Sequence, residues 1–276
     1  MNRITRVFKI FGTGISYLQF GRPAIPLLMY FALKLCIIFW YVLSGANTPG
    51  GLWPLLMRGI DLAAMGHYPA HLILMPAVLG RLDIPLEILV LVVAQGATVL
   101  LVAAASKRQK TGLRESLGST GRRYGHLVVA AAAVSAALFA WFRLSGAFLA
   151  RFTALPRGLG EGAGVLIGLA IETLFLYTIP FILIEGRTAP EAIRRSFAFA
   201  RRHFIESFLL VFVPFLLTVP TLLLSVNPST IALRISPEFL VQVQVASELM
   251  QFVATYLLMG GITIYFTETR PEEGVR

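Results

Sequence analysis

Long apolar windows alternate along the chain with short polar, basic segments. The windows run from Ala24 to Leu43, Ile84 to Ala105, Leu127 to Ala150, Gly164 to Ile184, Ser207 to Val226 and Phe239 to Phe266. Each is long enough to cross a hydrocarbon core of about 30 Å as a helix. Lipid offers no hydrogen bonds to the backbone, so a spanning segment must satisfy its own, and a helix does. The pattern predicts an all-α fold, a polytopic bundle of six transmembrane helices. Between the first two windows, Leu52, Leu56, Ile60 and Ala63 share one helical face opposite Arg58 and Asp61. A short run from His71 to Gly80 contains Pro76. These pieces predict a loop over residues 44–83 that holds an interfacial or re-entrant helix.

The polar segments have their own periodicity. Thr188 and Glu191 form a capping-box pattern with Pro190 in the first turn, which starts a helix there. Ile193, Phe197, Ala200 and Phe204 then form one stripe, and Glu191, Arg194, Arg195, Arg201 and Arg202 take the opposite flank. This predicts an amphipathic helix lying on a membrane surface. Residues 1–23 share the design, with Ile4, Val7, Phe8 and Phe11 on one face and Arg3, Arg6 and Lys9 around the other. Ser116, Leu117, Arg122, Arg123 and Tyr124 precede one span much as Ser196, Phe197, Arg201, Arg202 and His203 precede another. We expect three units, each a surface helix followed by a transmembrane hairpin.

Composition agrees: 57% of the 276 residues are hydrophobic and 14% charged, against about 25% charged in soluble domains. One membrane domain over 1–276 is expected, without a separate soluble core. The net charge of +10 is the positive-inside excess of a polytopic protein and not a nucleic-acid footprint. Lys and Arg crowd the N-terminal segment, the loops 106–126 and 186–206, and the C-terminus, while the alternate loops hold only Arg58, Arg81, Arg151, Arg157 and Arg234. Both termini and the basic loops are therefore expected in the cytoplasm, and 44–83 outside it. Arg122, Arg123, Arg194, Arg195, Arg201 and Arg202 are the candidate contacts to anionic lipid headgroups. The run after Lys9 starts too late and is too long for a cleaved signal. The single cysteine, Cys36, excludes an internal disulfide.

Charges inside the windows are the candidate chemistry. Lys34, Glu172 and Glu248 each stand within an apolar span. An unpaired charge there costs about 2.5–3.5 kcal/mol, so each should face the bundle interior and find a partner. Lys34 is expected to pair with Glu172 or Glu248. Arg143 and Glu87 lie near span ends, where snorkelling accounts for them. Gln95, Gln242, Gln244 and Gln251 add interhelical hydrogen-bonding capacity, and Pro180, Pro214 and Pro220 predict kinks. Gly158, Gly160, Gly162 and Gly164 alternate, but no β-strand precedes them to make a phosphate loop. Gly164 and Gly168 instead have the small-residue spacing of close helix packing. His67 and His71, with Asp61 and Asp83 nearby, raise a zinc site, although Pro69 spoils a regular ligand face. No catalytic motif and no cofactor site is identifiable.

Two stretches resemble a known family. Glu191, Ala192, Ile193, Arg194, Arg195 and Ser196 are similar to a Glu-Ala-Leu-Arg-Arg-Ser pattern before a span. Tyr265 to Arg270, followed by Glu272 and Glu273, is similar to a Tyr, acidic and Arg ending. Both belong to the membrane-domain family attached to some bacterial glycerophosphodiester phosphodiesterases and found in free-standing inner-membrane proteins. The resemblance implies a multi-pass bacterial inner-membrane fold. The phosphodiesterase barrel is absent from this sequence, so no activity follows. The leading expectation is a non-catalytic protein that organises lipid or a membrane-protein partner, or assembles with itself. A transporter or channel using Lys34, Glu172 and Glu248 is the second, and a lipid-modifying enzyme using His67 and His71 the third.

Overall fold

The computed structural model describes residues 3–18, 22–44, 68–149, 157–225 and 228–269. Every regular element among them is helical. After α1 (Arg3–Leu18) and a 3₁₀ turn (Arg22–Ala24) come α2 (Ile25–Ser44) and α3 (Ala70–Ser106). Then follow α4 (Leu113–Arg122), α5 (Tyr124–Leu149), α6 (Arg157–Phe175), α7 (Thr178–Leu183) and α8 (Ala189–Arg202). The chain closes with α9 (Phe204–Ser225), α10 (Pro228–Arg234) and α11 (Phe239–Thr269). Six stretches are long and apolar enough to cross a membrane: α2 with its 3₁₀ turn, α3, α5, α6 with α7, α9 and α11. The protein is a multi-pass membrane bundle.

A short helix, an outgoing span and a return span occur in that order three times. Packing makes the order cyclic. Helix α4 lies on α3 and α8 on α6 and α7, the return spans before them, and α1, which has none before it, lies on α11. Each outgoing span touches its own return span and the preceding one: α2 meets α3 and α11, α5 meets α6 and α3, and α9 meets α11 and α6. The second and third units match at an offset of 80 over the short helix and the start of the span that follows it. Buried Ser116 corresponds to Ser196 and Thr120 to Ala200, and the bends at Arg123 and His203 each accept the first hydrogen bond of the span that follows. The similarity seen in sequence pairs Arg122 with Arg201; the structure moves it by one residue, to Arg202.

Two helices expected on a membrane surface pack one face against the bundle. Helix α1 runs antiparallel along α11, with Arg6 at Thr269 and the Gly14 carbonyl accepting from the Tyr256 hydroxyl. It buries Val7, Ile10 and Phe11 and leaves Ile4, Phe8 and Ile15 outward, so the stripe read from sequence is split. The cause is close approach: a Cβ on Gly261 would lie 3.1 Å from Leu210 and 3.3 Å from the Phe11 ring. In α8 the buried face is Ala192, Ser196, Phe199 and Ala200, while Phe197 and Phe204 stay exposed. Thr188 does precede that helix, but its side chain makes no capping bond, and Glu191 pairs with Arg187 and Arg195 instead.

The second span begins 14 residues earlier than the apolar window. Residues 70–83 are the first turns of α3, continuous with the second span; residues 45–67 lie outside the described residues. Pro76 and Pro85 sit within α3, and a π-turn over Glu87–Leu91 follows. At 37 residues the helix is about 55 Å long, well beyond the hydrocarbon thickness. The fourth span is broken at Leu176 and Tyr177, between α6 and α7.

Candidate functional site: two intramembrane charge clusters

Lys34 is 5% exposed, and its Nζ lies 2.7 Å from Glu248 Oε2 on α11 and 2.8 Å from Asp83 Oδ1 on α3. Antiparallel packing of α2 on α11 sets this register, with the Phe31 and Phe252 rings 5.7 Å apart one turn away. Gln244 donates to the other oxygen of Glu248 at 3.1 Å. Of the two partners expected for Lys34, Glu248 is present and Glu172 is not. Asp83 takes that place, and it was masked in the sequence by an apparent break before Ile84. Burying an ion pair is net favourable only when further hydrogen bonds complete it, and here two carboxylates and an amide do so.

Glu87 is one turn beyond Asp83, in the π-turn. It does not snorkel: its carboxylate takes a long contact of 3.5 Å from Gln251 and lines a half-open cleft between the helices of about 220 Å³. Glu172 lines the same cavity, with Gln95, Ser135 and Thr178. The rest of the wall is apolar and comes from α3, α5, α6, α7 and α11. Among the described residues Glu172 has neither an ion pair nor a hydrogen bond, and the Thr178 hydroxyl, 2% exposed, has no partner.

Two irregularities of helix geometry meet at this cavity. One is the π-turn, which contributes Glu87, Ile88 and Leu91. The other is the α6–α7 break, which contributes Phe175, Leu176, Thr178 and Ile179. Pro180 has no N–H to donate to Leu176, so the helical ladder loses a bond at the break. The opened backbone is closed by Ser196 of α8, which accepts from the Tyr177 N–H at 3.0 Å and donates to the Leu174 carbonyl at 2.8 Å. Broken membrane helices persist only where other groups re-satisfy the freed backbone.

The remaining candidates separate clearly. Arg195 pairs with Glu185 and Glu191 at 3.3 and 3.1 Å, and Arg123 donates to the Gly186 carbonyl at 2.8 Å, where Gly186 has φ +71°. A side chain there would be strained and would meet the guanidinium. Arg122, Arg194, Arg201 and Arg202 are exposed. Arg143 is exposed as well, its guanidinium 5.3 Å from the Phe139 ring centre. His67 lies outside the described residues. His71 packs its ring against Tyr68, and Asp83, one of the acids counted for zinc, is held by Lys34. No cluster of three or more metal-ligand side chains occurs among the described residues. The Gly164 carbonyl accepts from Trp141, and Gly168 packs under Phe142, so this pair does mark close packing of α6 on α5.

No family model, no curated protein and no solved structure matches this chain.

Proposed function

We propose that the protein is a transporter, with the cavity between Glu87 and Glu172 as the central site for a cation or proton. The observation that supports it most is the meeting of a π-turn and a broken helix at a cavity holding two carboxylates that no cation neutralises among the described residues. Intramembrane carboxylates without partners are expensive to keep, discontinuous helices build midplane sites in secondary transporters, and π-turns occur often at functional positions. The Lys34 cluster is the fixed counterpart, joining α2, α3 and α11. Exposed Arg122, Arg194, Arg201 and Arg202 support contact between that end of the bundle and anionic headgroups. With Arg6 and Thr269 together at that end, they also support a cytoplasmic location for it. A bacterial inner membrane fits the family that Glu191–Ser196 resembles.

The test is proton flux in vesicles loaded with a pH-sensitive dye, with the potential clamped by valinomycin and potassium. The wild-type chain should dissipate an imposed pH gradient faster than empty vesicles, and Glu172→Gln should abolish the difference while eluting as a folded species. Equal rates for wild type and variant would sink the reading. The organising role expected from sequence would then return, with native mass spectrometry in lipid to find a partner.

A further inference from the structure

We propose that the Glu172 cavity binds an organic ammonium ion with an apolar body, its ammonium held between Glu172 and Glu87 and its hydrocarbon against the α5 and α6 walls. The inference rests on the transporter reading and specifies its substrate class. Four features narrow the ligand. First, size admits an organic ion, since apolar cavities of about 150 Å³ already accept benzene and this space is about 220 Å³. Second, the wall is mostly hydrocarbon, which a small hard cation needing about six oxygen ligands would not choose. Third, water is a poor occupant of the whole space, because each buried molecule needs two to four polar partners, and only Glu87, Gln95, Ser135, Glu172 and Thr178 of the lining residues offer them. Fourth, the Thr178 hydroxyl is buried, partnerless among the described residues and part of this wall. It is a spare acceptor for an ammonium N–H.

The charge sign follows from the same groups. Glu172 and Glu87 face one cavity, and the nearest cation, Lys34, is committed to Asp83 and Glu248. An anion would meet two carboxylates, and a neutral solute would leave both unmatched. A primary ammonium has three donors, enough for both acids and the Thr178 hydroxyl. Its hydrocarbon would lie against Leu138, Val134 and Phe175.

The experiment measures calorimetric binding of benzylammonium to the full chain in detergent, with benzyl alcohol as the neutral control. Saturable binding of the ammonium should occur, with the alcohol weaker by about tenfold or more, the usual worth of a charge-assisted contact. Glu172→Gln should abolish it, and Thr178→Val should weaken it by several-fold. If Glu172→Gln fails to fold, Ala131→Phe, which fills the cavity from the α5 wall, should abolish binding with every charge retained. Equal affinity for ammonium and alcohol, or unchanged binding in either Glu172→Gln or Ala131→Phe, would overturn the proposal. Saturable binding without flux of either protons or benzylammonium into vesicles would support the site and sink the transport reading. Glu172-dependent flux without benzylammonium binding would overturn the site and leave transport standing.

Discussion

The Lys34 cluster and the Glu172 cavity both place charge inside the membrane, and they do it in opposite ways. Around Lys34 every ion is answered: two carboxylates close on one ammonium, an amide completes Glu248, and the surrounding void is only about 20 Å³. Around Glu172 no cation answers the carboxylate among the described residues, and the space is about ten times larger, 220 against 20 Å³. Charge that is matched and packed holds helices in register. Charge that is unmatched beside open space destabilises the fold, and its retention points to a ligand. Glu87 stands between the two regions, with Gln251 on the Lys34 side and the cavity on the other.

The sharpest way to break the comparison is to remove the shared cation. Lys34→Met leaves Asp83 and Glu248 facing each other without it, and removing one partner of a buried pair costs about 3–5 kcal/mol. Unfolding of the purified chain in mixed micelles should shift by that amount. Replacing Asp83 by Asn and Glu248 by Gln in the same chain should recover most of the loss. If Lys34→Met is neutral, the cluster does not hold the register and the contrast collapses.

Next in size is the repair of the helix break. Ser196→Ala strands the Tyr177 N–H and the Leu174 carbonyl, at a cost of about 1–3 kcal/mol. Ser135→Ala, in the opposite wall of the cavity, removes a hydroxyl with no hydrogen bond among the described residues and should change stability by less than about 0.5 kcal/mol. The same micelle titration reads both. Equal losses would mean that the break is not sustained by Ser196.

Glu172→Gln is the smaller and more telling change. Because no partner is lost, its unfolding midpoint should stay within about 0.5 kcal/mol of wild type or rise, whereas Glu248→Gln should lower it. A destabilised Glu172→Gln chain would give that carboxylate the structural role assigned here to Lys34 and its acids.

The bundle was legible because about 20 apolar residues in a row admit few other structures, and Lys34, Glu172 and Glu248 were legible as charges inside such runs. Asp83 was not, because it falls one residue before the window that opens at Ile84, behind Pro76 and Arg81, although the helix runs through all three; Glu87, inside that window, reads as a snorkelling charge near its end. The cavity had no signature in sequence, since it depends on a π-turn and on a break closed from another unit by Ser196. The short helices were legible, but the faces they pack on the bundle were not. In a membrane bundle the large apolar side chains can face lipid as well as protein, so Phe8, Phe197 and Phe204 did not mark the packed face. Small residues did, as Gly14, Ala192 and Ser196 show: they permit the approach that makes helix contacts favourable.

A last difference lies at the end of the bundle remote from the arginines. Tyr68 donates a hydrogen bond to the Glu238 carboxylate and ties the start of α3 to the start of α11, the two helices that supply acids to Lys34. That bond, with others from the Ser236 side chain and the Glu238 backbone, holds the Glu238 carboxyl below its ordinary range, while the same bond raises the Tyr68 phenol. The sign follows directly. A carboxylate with a depressed folded-state pKa contributes stability that is complete above its unfolded value and is lost as pH falls through the folded one. Acidification below about pH 4 should therefore raise hydrogen exchange in the first turn of α3 before it affects the α6–α7 break. Glu238→Gln, which can still accept from Tyr68, should remove this pH dependence. Exchange that rises equally at both places, or a Glu238→Gln chain with the wild-type profile, would mean that the Lys34 region has no tie at this end that the cavity lacks.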